Sequence, residues 1–252
     1  MAATNSTLVI GWKFSSATLA RGGGLIPAYA IRVASCHLLN LTDCAVPTTL
    51  ANATLSEIMY FPKLVADGEI DGKVFLCHFS ASGSNRGDMG YYNVHFSDDH
   101  GSTWSDRSTI YSQAVADGMT YSFAVSGPTI SFMWATLEQV VLLTCPTSAI
   151  AASVDYTNTL PYVGGSETIV TEFSIAPGPS GTFLAVYLSD DGIESYMSFR
   201  YFNGSIWEAP QNFSSGHTYN PTVVFDSHAT WLIGFDKPND VTSYSDIYSQ
   251  ST

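Results

Sequence analysis

Positive charge is scarce in this chain: nine Lys and Arg stand against 22 Asp and Glu, a formal net charge of -13 over 252 residues. No basic run exists, so the counterion displacement that drives nucleic-acid binding has no source, and attraction to an anionic membrane surface fails for the same reason. Charged residues of either sign make up only 12 %, and Ser, Thr and Tyr fill the surface positions that Lys and Glu occupy in most cytosolic proteins. Long apolar runs are missing too. Nothing approaches 18 uninterrupted apolar residues, so no membrane span is expected, and residues 1–12 lack the basic-then-apolar order of a leader peptide. Neither C-x-x-C nor a His cluster occurs, which argues against structural zinc, and no cofactor or metal is implied. His37, His78, His95, His100, His217 and His228 are scattered, and each reads as a turn residue or a satisfied strand residue. There is no G-x-S-x-G elbow, and Gly22-Gly23-Gly24 lacks the Lys of a phosphate loop.

Helical periodicity is nearly absent as well. Apolar and polar residues alternate in short runs bounded by Gly, Pro, Asn, Asp and Ser, the pattern of many antiparallel strands. Val74-Phe75-Leu76-Cys77-His78-Phe79, Ile130-Ser131-Phe132-Met133-Trp134 and Phe183-Leu184-Ala185-Val186-Tyr187-Leu188 read as buried central strands. A self-similar unit recurs at roughly 45 to 55 residues, the spacing of propeller blades. The clearest copy covers 60–111, with strands at 61–66, 73–79, 90–96 and 103–110. A second covers 169–213, with Trp207-Glu208-Ala209-Pro210 in its fourth strand. A third begins at Asn220, and 121–162 forms a more irregular copy. The opening segment, to about Leu55, is the least legible.

The most informative stretch is Ser97-Asp98-Asp99-His100-Gly101-Ser102-Thr103-Trp104. An Asp side chain can accept backbone N–H groups of its own turn, Gly101 can take positive φ, and the Ser and Thr hydroxyls can bond the same loop. A calcium loop would need further carboxylates at alternate positions, and the next acid is Asp106. The pattern Ser-x-Asp-x-Gly-x-Thr-Trp, carried by Ser97, Asp99, Gly101, Thr103 and Trp104, resembles the Asp box of the sialidase-like β-propeller (BNR) family. The resemblance implies an all-β propeller of four-stranded antiparallel blades in a single domain over 1–252, with the box in a hairpin between outer strands and Trp104 as an apolar plug. Five blade equivalents fit the length best, with a six-bladed ring containing one reduced blade as the alternative. Ser189-Asp190-Asp191-Gly192 and Asp226-Ser227-His228-Ala229-Thr230-Trp231 read as degenerate boxes. Because a ring hides its terminal edges when one terminus completes the other's blade, residues 7–12 are expected to close the last sheet.

Members of that family that cleave sialosides clamp the substrate carboxylate with three arginines and use a Tyr activated by a Glu. This chain has Leu25-Ile26-Pro27 where the family's first arginine motif would stand, and only Arg21, Arg32 and Arg200 remain as clamp candidates once Arg86 and Arg107 are set aside. Glu138, Glu167, Glu172 and Glu194 are all eligible acids and none is privileged. The expectation is therefore a non-catalytic propeller binding a glycan or glycoprotein surface through aromatic faces and neutral hydrogen bonders. The alternatives are a sialidase-type exo-glycoside hydrolase, a propeller glycosidase using two carboxylates, and a self-associating structural subunit of an extracellular assembly. Sequons at Asn5, Asn40, Asn52, Asn203 and Asn212 point to an N-glycosylated protein outside the cell or at its surface. Cys36 and Cys44 would close a short polar loop if oxidised. Cys77 and Cys145 lie in apolar runs and are either a second disulfide or two buried thiols.

Overall fold

The computed structural model describes residues 1–19, 25–53, 58–59, 62–67, 69–81, 89–114, 121–135, 140–151, 162–163, 169–190, 195–215, 219–226, 230–238 and 245–251. These form five antiparallel sheets, with one five-residue helix, Thr147–Ala151, among the described residues. The chain divides into two compact units, one of residues 1–116 and 147–158, the other of 117–146 and 159–252.

The first unit holds two sheets. Sheet one contains Ala2–Ala3, Thr7–Leu19, Leu25–His37 and Asn40–Cys44, with Thr48–Asn52 also on Leu25–His37. Sheet two runs Ser108–Ala114, Met89–Ser97 and Val74–Ala81, the last pairing with both Ile58–Met59 and Lys63–Ala66. All residues of Val74–Ala81 are buried, which explains why its apolar run ignores alternation. Val74 and Leu76 meet Val9, Ile31 and Val33 of sheet one, whereas Phe75 and Phe79 pair with Phe96 and Tyr92 at ring separations of 6.3 and 4.8 Å. Each such side chain stabilises the fold by roughly 1.5–3 kcal/mol, so the stacking of sheets outweighs any single turn.

The second unit stacks three sheets by the same logic. Sheet three is Tyr121–Ser126, Thr129–Ala135, Val140–Pro146 and Tyr162–Val163; sheet four is Ile169–Pro177, Phe183–Asp190, Ser195–Phe202 and Gln211–Ser215; sheet five is Tyr219–Phe225, Trp231–Pro238 and Ser245–Ser251. Sheet four lies between its neighbours. Phe173, Ile175, Phe183 and Ala185 pack on Ala124, Met133 and Leu142 of sheet three, and Leu184, Val186 and Met197 pack on Val223, Ile233 and Phe235 of sheet five. Alternation along one strand thus feeds two cores.

Several expectations change. Residues 7–12 were expected at the edge of the last sheet, but Thr7–Leu19 is hydrogen-bonded to Ala2–Ala3 on one side and along all 13 of its residues to Leu25–His37 on the other. The fourth strand of sheet two starts at Ser108, not at Thr103, because Thr103 and Trp104 belong to the preceding turn. Likewise Trp207 makes only an isolated bridge to Phe202, and the fourth strand of sheet four is Gln211–Ser215. In the copy at 121–162 the helix Thr147–Ala151 follows the third strand. Cys36 and Cys44 form the expected disulfide. The second disulfide does not form: Cys77 and Cys145 are buried thiols, one in each unit.

Candidate active site

The octapeptide 97–104 folds as a side-chain-bonded turn. Ser97 Oγ donates to Asp99 Oδ1 at 2.8 Å and accepts the Gly101 amide at 2.8 Å; Thr103 donates its amide to Asp99 Oδ1 at 2.8 Å and its hydroxyl to Asp99 Oδ2 at 2.7 Å. Burial raises the Asp99 carboxyl, but these bonds outweigh it and hold the group below its ordinary range. Gly101 sits at φ +83°, and a Cβ there would also come within 2.9 Å of Val9 Cγ2. Trp104 donates Nε1 to the Gly101 carbonyl at 3.0 Å and packs on the Val9, Ile31 and Val33 cluster. Asp226 accepts the Thr230 amide at 2.9 Å, repeating the Asp99–Thr103 bond in sheet five. The region of the other degenerate box, 191–194, lies outside the described residues. Ser97, Asp99 and Thr103 bond one another, whereas His100 Nδ1 lies 2.9 Å from Thr4 Oγ1 and Asp98 lies 3.9 Å from Lys73 Nζ.

The arginine candidates are engaged separately. Arg32, opposite Trp12 in sheet one, places its guanidinium carbon 3.9 Å from the Phe14 ring centroid, and its buried Nε has no hydrogen-bond partner. Arg200, in sheet four, donates Nε to the Glu208 carbonyl at 2.6 Å. Arg21 lies outside the described residues. Arg32 and Arg200 belong to different units, and each is held within its own sheet.

Next to Arg200 lies Tyr187, 5 % exposed, in register with Phe173 and Ser198. Burial pushes its phenol up to about 12, with Arg200 pulling the other way. Such a phenol stays protonated near neutrality and is a poor nucleophile without a base. Glu172 is not that base, because its carboxylate accepts the Asn220 amide of sheet five, whereas Tyr187 packs toward sheet three. Among the sequence candidates Glu172 is the described acid; Glu138, Glu167 and Glu194 lie outside the described residues.

The structure also assembles a polar band that the sequence did not reveal. His78 and His95 stack at 5.6 Å with an interplanar angle of 16°, both fully enclosed in sheet two. His95 Nδ1 lies 3.2 Å from the Ser105 carbonyl, but its Nε2 and both nitrogens of His78 have no partner, so the expectation of a satisfied strand histidine fails at His78. Burial, the neighbouring ring and Arg107 push His78 down to about 3. His95 is also lowered, by burial first and by Arg107, against the Ser105 bond and Asp106. Beside them Asn93 donates to Ser80 Oγ at 2.9 Å and accepts from Thr109 Oγ1 at 2.9 Å. Register is the missing signal: Leu76 pairs with His95 and His78 with Asn93, which sets the two rings diagonally on one face. Among the described residues no group of three or more His, Cys, Asp or Glu is arranged to hold a metal, and no helix is long and apolar enough to cross a membrane.

No protein-family model matches the chain, and no curated protein sequence matches it. Solved structures do. The α-L-arabinanase of Penicillium chrysogenum, complexed with arabinobiose, matches with a TM-score of 0.55 and 11 % identity over 98 % of this chain and 86 % of its own. The α-L-arabinofuranosidase of Fusarium graminearum with arabinobiose matches at 0.51 and 13 % identity, covering 99 % and 87 %. The intramolecular trans-sialidase of Ruminococcus gnavus with oseltamivir carboxylate matches at 0.52 and 9 % identity, covering 90 % of this chain and 51 % of its own. The fold is a β-propeller. These neighbours act on glycans as catalysts, which overturns the preference for a non-catalytic binding propeller and the leaning against an enzyme.

Proposed function

We propose that the protein is a glycan-cleaving enzyme, a glycoside hydrolase on a propeller whose five sheets are its blades, acting outside the cell through two carboxylates on an uncharged sugar chain. The carrying observation is a likeness that extends over almost the whole chain to propellers solved with arabinobiose. Two features favour a neutral substrate. Arg32 is stacked on Phe14 and Arg200 is bonded to Glu208, so neither is an unencumbered carboxylate clamp. Acids, by contrast, are plentiful, and glycoside hydrolysis needs one as proton donor and a second as nucleophile or base. Glu138, Glu167, Glu172 and Glu194 are the residues from which that pair is drawn.

A sialidase-type exo-glycosidase is the second reading, favoured by the trans-sialidase neighbour and by the bonding of 97–104, which we read as an Asp box. Aryl α-L-arabinofuranosides and fluorogenic sialosides separate the two. Turnover of the neutral glycosides, lowered at least about 100-fold by Gln at two of the four glutamates, supports the first reading. Turnover of sialosides that depends on Arg21, Arg32 and Arg200 supports the second. A folded protein that turns over neither class refutes both.

A further inference from the structure

We propose that Asn40 and Asn203 carry N-linked glycans and that Asn5 and Asn212 do not. All five sequon asparagines are exposed, so exposure does not choose among them. Local bonding does. Asn40 Oδ1 accepts both the amide and the hydroxyl of Thr42, at 3.3 and 2.7 Å. Asn203 Oδ1 accepts the amides of Ser205 and Ile206, at 3.0 and 3.1 Å. In each case the asparagine, itself exposed, turns its oxygen onto its own sequon, so that Oδ1 and not Nδ2 is the bonded atom.

Asn212 and Asn5 differ. Asn212 Oδ1 accepts the Ser198 hydroxyl at 2.7 Å from within a paired strand, so its carboxamide belongs to the sheet. Thr7, the hydroxyl residue of the Asn5 sequon, bonds to Ser6 and Thr4, with no bond to Asn5.

The surroundings supply an independent observation. Large apolar side chains stand in solvent beside both selected sites: Leu39 at 91 %, Leu41 at 59 % and Val46 at 87 % near Asn40, and Ile206 at 64 % near Asn203. A bulky hydrophilic attachment at these positions screens apolar surface that would otherwise invite association. The Cys36–Cys44 disulfide, which clips the loop bearing Asn40, fits the oxidising compartment in which such transfer takes place. In the transfer, Nδ2 forms a bond to the anomeric carbon of a lipid-linked oligosaccharide diphosphate. The bond from that carbon to the diphosphate oxygen breaks, the lipid diphosphate leaves as an anion, and the amide releases one proton to a base.

Glycopeptide mass spectrometry on the wild-type chain, directed into a eukaryotic secretory pathway behind a heterologous leader, tests the assignment. It is read from medium and cell lysate alike, after an amidase has converted modified Asn to Asp. Occupancy concentrated at Asn40 and Asn203 is expected, with Thr42→Ala losing one electrophoretic step and Thr42→Ser keeping it. Even occupancy over all five sequons, occupancy led by Asn212, or unmodified Asn40 and Asn203 overturns the proposal. Because the readout is attachment and not turnover, it fails or stands apart from the hydrolase reading.

Discussion

Lowering the pH should destabilise this protein through His78. The folded environment accepts only the neutral ring: burial, the stacked His95 and Arg107 hold His78 near 3, whereas the unfolded chain takes up a proton near 6.5. Between those values unfolding binds a proton, so stability is fully present above 6.5 and falls by about 1.4 kcal/mol per pH unit below it. From pH 6.5 to 5 the loss attributable to His78 is about 2 kcal/mol, and His95, shifted the same way, adds to it. Urea denaturation at pH 7.5, 6.5, 5.5 and 5.0 measures the slope. The decisive comparison is His78→Leu, which removes the titration together with two buried nitrogens that have no partner. At pH 7.5 the variant should match the wild type within about 1 kcal/mol, since deleting unsatisfied polar atoms offsets imperfect packing. At pH 5 it should have lost about 2 kcal/mol less than the wild type. Parallel pH profiles for the two proteins would refute the reasoning.

Asp99→Ala removes the acceptor of three hydrogen bonds, from Ser97 Oγ and from the amide and hydroxyl of Thr103, and should lower stability by about 1–3 kcal/mol in the same denaturation assay. Gly90→Ala would put a methyl group 1.9 Å from Cζ of the fully buried Phe79; a loss of about 1–3 kcal/mol or more is expected, visible as a lower thermal midpoint. Thiol titration of the native protein should find no fast-reacting group, because burial raises both Cys77 and Cys145, the latter to about 12, and denaturation should release two. Reduction of Cys36–Cys44, which closes a loop of sequence separation 8, should lower stability by about 2–3 kcal/mol without exposing the core thiols.

Elements defined by local chemistry were readable from the chain. The turn at 97–104 is determined by side-chain oxygens within four residues of the amides they accept, and Val74–Ala81 by an apolar run too continuous for a one-sided strand. Elements defined by partners were not. Thr7–Leu19 and Leu25–His37 carry Ser15, Ser16 and Ser35 among their apolar residues, and only their mutual pairing makes them long strands. Trp207 suggested a strand by composition, yet the bonds of Asn203 hold that segment as a turn and Trp207 packs against Phe202 at 5.4 Å. The His78–His95 contact depends on the register between two neighbouring strands, and composition carries no register. For the candidate site, the shortage of arginine was legible, but it bears on a charged substrate and does not by itself argue against catalysis.

The central claim is that this propeller cleaves glycans instead of only holding them. Incubating the purified chain with arabinan and with other neutral polysaccharides, while following new reducing ends and binding heat on the same samples, tests it most directly. Reducing ends that accumulate in proportion to enzyme and time are the expected result. Saturable binding heat with no new reducing ends on any polysaccharide would contradict the claim and return the protein to the class of glycan-binding propellers.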